Sequence, residues 1–211
     1  GCLAALSLSV AVDVPTATLR NGVEMPLLAV GVGGYNASEA TDSLLDALNV
    51  GIRSLDAAHD YGNILGVASA LEKTRVARKD IFLTTKVPGC GVPTQGIEPP
   101  CEANTYKVFN EDLEKFGTPY VDLLLLHFPP LLGCDIEEEC TKIQQQWQAL
   151  EQVYSENKTR AIGVSNYCVN CLKCVMKNAT IAPMVDQMQY HVRYLISFCF
   201  FILLHVFSSD N

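Results

Sequence analysis

Six short apolar runs, each separated from the next by a stretch of helical pattern, limit this chain's possible folds more than any other feature. The runs cover 27–33, 51–56, 81–86, 121–127, 161–165 and 184–190. Helix candidates lie between them at 38–49, 64–74, 103–116, 142–156 and 168–178, with Gly, Pro and Asn at the joints. Ser38 is the expected N-cap of the first helix. A parallel strand covered on both faces reads as a continuous apolar run, and parallel neighbours need a crossover long enough for a helix. The alternation therefore predicts βα units around a parallel sheet, either curled into a barrel or open. Gly31-Val-Gly33-Gly34-Tyr35 lacks the GxGxxG spacing of a dinucleotide fingerprint, which makes an open doubly wound sheet the weaker expectation.

Polar residues stand where three of these runs stop. Asp56 ends Gly51-Ile-Arg-Ser-Leu, Lys86 ends Ile81-Phe-Leu-Thr-Thr, and His127 ends Val121-Asp-Leu-Leu-Leu-Leu. Tyr61 follows Asp56 by five residues. Parallel barrels keep their chemistry at the C-terminal ends of their strands, so these four side chains are expected to converge on one mouth. Together they suit proton transfer to a carbonyl. A phenol becomes a better acid beside an ammonium, because the cation favours the phenolate. Lys86 supplies that charge, Asp56 anchors Lys86, and His127 can donate to the carbonyl oxygen. Taken singly, Asp56 also suits a helix N-cap, Lys86 a surface lysine, Tyr61 ordinary packing and His127 a satisfied core histidine. Their joint placement at successive strand ends argues for the functional set. His59 and Asp60 read as loop residues with no role.

The length of 211 residues suits one domain, and 49% hydrophobic against 18% charged residues describes a globular chain with a core. A net charge of −8 disfavours nucleic acid and anionic membrane surfaces as partners. The apolar run 195–207 has 13 residues, short of the roughly 20 that span a bilayer, so no membrane span is expected. Residues 1–15 read either as a signal-peptide remnant or as an N-terminal arm, uncharged through Val12. Nine cysteines point to disulfides in an oxidising compartment. Cys90 and Cys101 bracket a Gly/Pro-rich loop, and Cys134 and Cys140 a short acidic one, which makes these the expected pairs. Cys168, Cys171 and Cys174 lie along one side of a helix without a histidine cluster, and read as core or free thiols rather than a metal site. The sequons at Asn36, Asn157 and Asn178 agree with a secretory route.

From about Leu19 to His191 the chain resembles the aldo-keto reductase family. The resemblance rests on Leu19-Arg-Asn-Gly-Val-Glu-Met-Pro26, Gly31-Val-Gly33, Gly51-Ile-Arg-Ser-Leu-Asp56-Ala-Ala-His-Asp-Tyr61-Gly and Thr84-Thr-Lys86. It continues through Val121-Asp-Leu-Leu-Leu-Leu-His127-Phe-Pro, Ala161-Ile-Gly-Val-Ser165-Asn166-Tyr and Val185-Asp-Gln187-Met-Gln-Tyr-His191. It implies a (β/α)8 TIM barrel with about six of eight βα units present over residues 16–191. It also implies NADPH as cofactor and a small-molecule carbonyl substrate reduced to an alcohol. The family's tetrad falls on Asp56, Tyr61, Lys86 and His127, with Tyr61 as general acid. Ser165, Asn166 and Gln187 resemble the residues that hold the nicotinamide carboxamide, and Gly33 and Gly34 the loop that passes close to the cofactor. Phe128 and Tyr35 stand at positions of the substrate pocket. The resemblance further implies a monomer when complete, and a cytoplasmic location that competes with the secretory signals.

Beyond His191 the resemblance ends, and residues 192–211 are expected to form an aberrant apolar tail. Val192-Arg193 can be encoded by GTA-AGA or GTA-AGG, which match an intron donor, so retained intron sequence is one expected source. The residues that would grip the adenosine 2′-phosphate have no counterpart, so weak NADPH binding and open edges at the first and sixth strands are expected. A truncated non-catalytic product and a cofactor-sensing regulatory module stand as alternatives to the enzyme.

Overall fold

The six predicted runs become one parallel sheet in the computed structural model, which describes residues 13–93, 96–130 and 133–189. An antiparallel hairpin comes first, β1 (Thr16–Thr18) with β2 (Glu24–Pro26). The sheet and its helices then alternate: β3 (Ala29–Gly31), α1 (Ala37–Asn49), β4 (Ser54–Asp56), α2 (Ile64–Lys73), β5 (Phe82–Val87), α3 (Cys101–Phe116), β6 (Leu123–Leu126), α4 (Glu137–Ser155), β7 (Ile162–Ser165), α5 (Val169–Asn178) and β8 (Asp186–Gln187). Strand order in space is strand order in the chain, and all neighbours are parallel. A doubly wound sheet reverses its order at a switch point. No reversal occurs here, so the sheet winds in one direction as a half-barrel, and the open doubly wound alternative falls.

Burial explains which parts of each run pair. Every residue of β5, β6 and β7 is buried, as both-face coverage requires. The edge run at 27–33 shortens to three residues, and Leu27 and Leu28 are about half exposed. Among the described residues β3 and β8 are the edges. Each helix packs on the next around the outside, from α1 to α5. Trp147 of α4 is fully buried and donates its Nε1–H to the Ile181 carbonyl at 3.0 Å.

Several helix starts differ from expectation for local reasons. The N-cap of α1 is Asn36, not Ser38. Asn36 Oδ1 accepts from the Glu39 N–H at 3.0 Å while Glu39 Oε2 accepts from the Asn36 N–H at 2.9 Å, a capping box. Helix α4 begins at Glu137 rather than residue 142. Three successive glutamates occupy its first turn, where the helix dipole favours negative charge. What read as an acidic loop is largely helix.

The expected Cys90–Cys101 disulfide is present, but the expected Cys134–Cys140 pair is replaced by Cys134–Cys171 and Cys140–Cys174. Because α4 starts early, Cys140 lies on a helix that packs against α5, and Cys171 and Cys174, one turn apart, face it. Two cysteines read as core or free thiols are therefore bridged, and Cys168 is free among the described residues. Each of the two bridges closes a loop of more than 30 residues, which in the chain-entropy account stabilises the fold by about 4 kcal/mol. All three sequon asparagines are exposed. No helix among the described residues is long and apolar enough to cross a membrane. The expectations for residues 1–12 and for the 195–207 run lie outside the described residues.

Helix α2 packs against the start of α1 at Gly66, where a Cβ would stand 2.2 Å from the Ala37 carbonyl oxygen. Backbone blocks it, so no rotamer change can relieve the clash. Gly66→Ala is expected to destabilise the fold by about 1–3 kcal/mol, the range for overpacking, seen as a lower urea midpoint with an unchanged slope.

Candidate active site

Parallel register puts the polar groups on one end of the sheet. Asp56 closes β4 and pairs with Thr84 of β5; Lys86 lies one pleat further along the same face of β5. That spacing lets the Lys86 ammonium reach back to Asp56. Tyr61 sits in a short 3-10 turn, His59–Tyr61, immediately beyond β4. His127 follows the last residue of β6, its N–H held by the Val87 carbonyl at 2.8 Å.

Lys86 is 1% exposed. An ammonium has three donors, and three acceptors surround this one. They are Asp56 Oδ1, the Ala57 carbonyl at 3.0 Å and the Tyr61 hydroxyl at 3.3 Å. Unpaired, a charge this deeply buried would cost several kcal/mol. Gln187 of β8 donates its Nε2–H to Asp56 Oδ2 at 2.8 Å, joining the far edge of the half-barrel to the ion pair.

The predicted carboxamide-binding residues gather beside this cluster. Ser165 Oγ donates to the Gln187 carbonyl at 2.7 Å, and Asn166 Nδ2 donates to the His127 carbonyl at 2.9 Å. Asn166 has φ of 61°, a left-handed conformation that asparagine tolerates better than most residues. Gly33 lies against the phenol: a Cβ there would stand 3.2 Å from Tyr61 Cζ. The Phe128 ring lies 5.2 Å from the His127 ring. Gly34 and Tyr35 are exposed on the loop after β3, and Asn63 Nδ2 holds the Tyr35 carbonyl at 3.0 Å.

Two residues read as loop positions have partners here. His59 Nδ1 lies 2.8 Å from the buried Asp112 Oδ2, and that hydrogen bond raises the His59 pKa above its ordinary value. Asp60 Oδ1 lies 2.6 Å from His127 Nδ1. Burial pushes the Asp60 carboxyl up, but the His127 hydrogen bond and the nearby positive charges outweigh it and hold the group below the ordinary range. Sixty-seven residues separate Asp60 from His127, so the one available sequence signal was an acidic residue directly before Tyr61.

Behind Ser165 and Gln187 lies a second feature that the sequence left unread. Asp186 is 5% exposed, and burial raises its carboxyl to about 6. Its Oδ1 and the Tyr167 hydroxyl have no hydrogen-bond partner among the described residues. Burial, with the Asp186 charge second, drives the Tyr167 hydroxyl pKa upward. The folded chain thus holds the Asp186 proton more tightly than the unfolded chain. That contribution to stability is complete below the ordinary value of 3.8 and is lost as pH rises through about 6. Asp186→Asn is expected to stabilise the fold at pH 7.5 by on the order of 2 kcal/mol. The gain should shrink as pH falls from 6 toward 4, measured as urea midpoints across that range.

Sequential parallel strands with polar groups at their C-terminal ends place the chain in the (β/α)-barrel class. Within that class it belongs to the Aldo/keto reductase family, whose model matches residues 27–195. The glyoxal reductase of Bacillus subtilis (strain 168) is 40% identical over 179 residues, covering 84% of this chain and 59% of its own length. A crystal structure of an aldo/keto reductase from Brucella melitensis superposes with a TM-score of 0.72 at 33% identity, covering 84% of this chain and 63% of that one. Another aldo-keto reductase, solved in complex with NADPH, also gives 0.72, at 27% identity, covering 85% of this chain and 56% of that one. The chain spans about three fifths of the length of the curated relatives it matches.

Proposed function

We propose that the protein carrying these residues is an NADPH-dependent oxidoreductase that reduces aldehydes and ketones to alcohols, with Tyr61 as general acid. One observation carries the reading: the Lys86 ammonium, paired with Asp56, lies 3.3 Å from the Tyr61 hydroxyl. A phenol that gives up its proton leaves a phenolate, and a fixed ammonium in a dry site stabilises that anion without reorganising. Asp56 pairs with the ammonium and aims it, and His127 at the end of β6 orients the carbonyl oxygen. The Ser165 hydroxyl and the amides of Asn166 and Gln187 offer donors and acceptors complementary to a nicotinamide carboxamide. When bound, the cofactor supplies the hydride. Gly33 keeps the face of Tyr61 clear, and Phe128 and Tyr35 contribute apolar surface for the substrate. The glyoxal reductase relative supports small reactive aldehydes as the first substrates to assay.

A non-catalytic role, as a truncated product or a cofactor sensor, requires no phenol–ammonium–carboxylate cluster, and the presence of all three favours the enzyme. Tyr61→Phe keeps the ring and deletes the proton. It is expected to lower the turnover of an aldehyde with NADPH at least about a hundredfold, the usual contribution of a positioned acid, while NADPH affinity by fluorescence titration changes little. Turnover that survives this substitution would exclude Tyr61 as the acid.

A further inference from the structure

We propose that Asp60 is a positioning residue that holds the imidazole of His127 with its proton on Nδ1, so that Nε2 can donate to a carbonyl only from the imidazolium. The catalytic consequence rests on the function proposed above; the tautomer itself rests on the Asp60–His127 pair alone.

The geometry is specific. Asp60 precedes Tyr61 in the 3-10 turn beyond β4, and its Oδ1 lies 2.6 Å from His127 Nδ1 at the end of β6. Both side chains are largely buried, 16% and 12% exposed. An ionised carboxylate only accepts hydrogen bonds. Nδ1 must therefore carry the proton in this contact. A neutral imidazole has one N–H, so Nε2 is then a lone-pair acceptor and faces a carbonyl oxygen as one acceptor faces another. With a second proton, Nε2 donates and the ring brings a positive charge to the oxygen on which negative charge develops.

The surroundings of the ring decide how that charge is tolerated. Tyr61 meets it edge-on at 5.4 Å between centroids, and Phe128 lies 5.2 Å away. Asn166 of the β7–α5 loop donates to the His127 backbone carbonyl rather than to the ring. Lys86 of β5 opposes a second cation, but Asp56 of β4 compensates Lys86, and Asp60 remains as the anion in contact with the imidazole. The two carboxylates thus divide two tasks: Asp56 serves the ammonium beside the phenol, and Asp60 serves the imidazole.

Asp60→Asn discriminates, because an amide can donate as well as accept. Its Nδ2–H can bond Nδ1 of the ring, which moves the neutral proton to Nε2 and restores a donor without a positive charge. Imidazole nitrogen-15 shifts of the full chain, with His127 assigned by His127→Gln, read the tautomer directly. With the ring neutral, wild type is expected to show a protonated Nδ1 and a pyridine-like Nε2; Asp60→Asn is expected to reverse them. Asp60→Ala, which leaves Nδ1 to water, should give a mixture and decides the matter if the asparagine variant does not fold. In turnover, loss of the second imidazole proton should contribute to the alkaline fall of kcat/KM in wild type, chiefly through KM, and Asp60→Asn should remove that contribution and leave only the loss of the Tyr61 proton. A purely structural Asp60 would lower activity with the pH profile unchanged. A wild-type ring protonated on Nε2 when neutral, or the same tautomer and profile in both variants, overturns the proposal. The expected shifts without any NADPH turnover would leave the tautomer standing and refute the proposed function instead.

Discussion

A buried ammonium is the constraint on which the rest of this site depends. Lys86 is nearly inaccessible to water, and its charge survives there because Asp56, the Ala57 carbonyl and the Tyr61 hydroxyl use all three of its donors. Removing one partner of such a pair costs about 3–5 kcal/mol, because it strands the other charge. The pair therefore demands register: Asp56 must face Thr84, with Lys86 one pleat beyond. It also demands the turn that returns Tyr61 over the ammonium, and the absence of a side chain at residue 33. Gln187 extends the network from β4 to the last described strand, so the site bridges the half-barrel.

The opposite end of the sheet has its own ionic anchor. Asp122 is fully buried and accepts from Arg78 at 2.9 Å, Arg160 at 2.8 Å and the Leu83 N–H at 2.9 Å. It ties the starts of β5 and β6 to the segments before β5 and β7. Between the two ionic layers the strands are buried and mainly apolar, with Thr84 and Thr85 of β5 as polar members, and the helices cover them from outside. Two of the disulfides tie α5 to α4 and to the segment just before it, next to the loop that presents Asn166. Rigid strands, pinned at both ends, let short loops hold functional groups at fixed distances.

Much of this was legible in the chain because buried parallel strands have a compositional signature and their ends are marked by polarity. The six runs, their order, and the placement of Asp56, Lys86 and His127 at strand ends follow from that pattern. Tyr61 was legible through its spacing from Asp56. Other features turned on atoms distant in sequence. Ser38 and Asn36 are both acceptable caps, and the reciprocal bond with Glu39 selects Asn36. Cys134 could close a short loop with Cys140 or reach α5, and the early start of α4 makes the second choice. Asp60 looked like an ordinary turn residue until the end of β6 came within reach.

The sequence by itself determined the class of fold and the chemical inventory of the site, because hydrophobic periodicity and residue type are local properties. Only the tertiary structure decided which carboxylate meets His127, which partners Cys134 and Cys140 take, and that Asp186 is pressed toward its protonated form. Those outcomes depend on burial and on distances of a few ångströms between segments tens of residues apart, and neither quantity exists until the chain has folded.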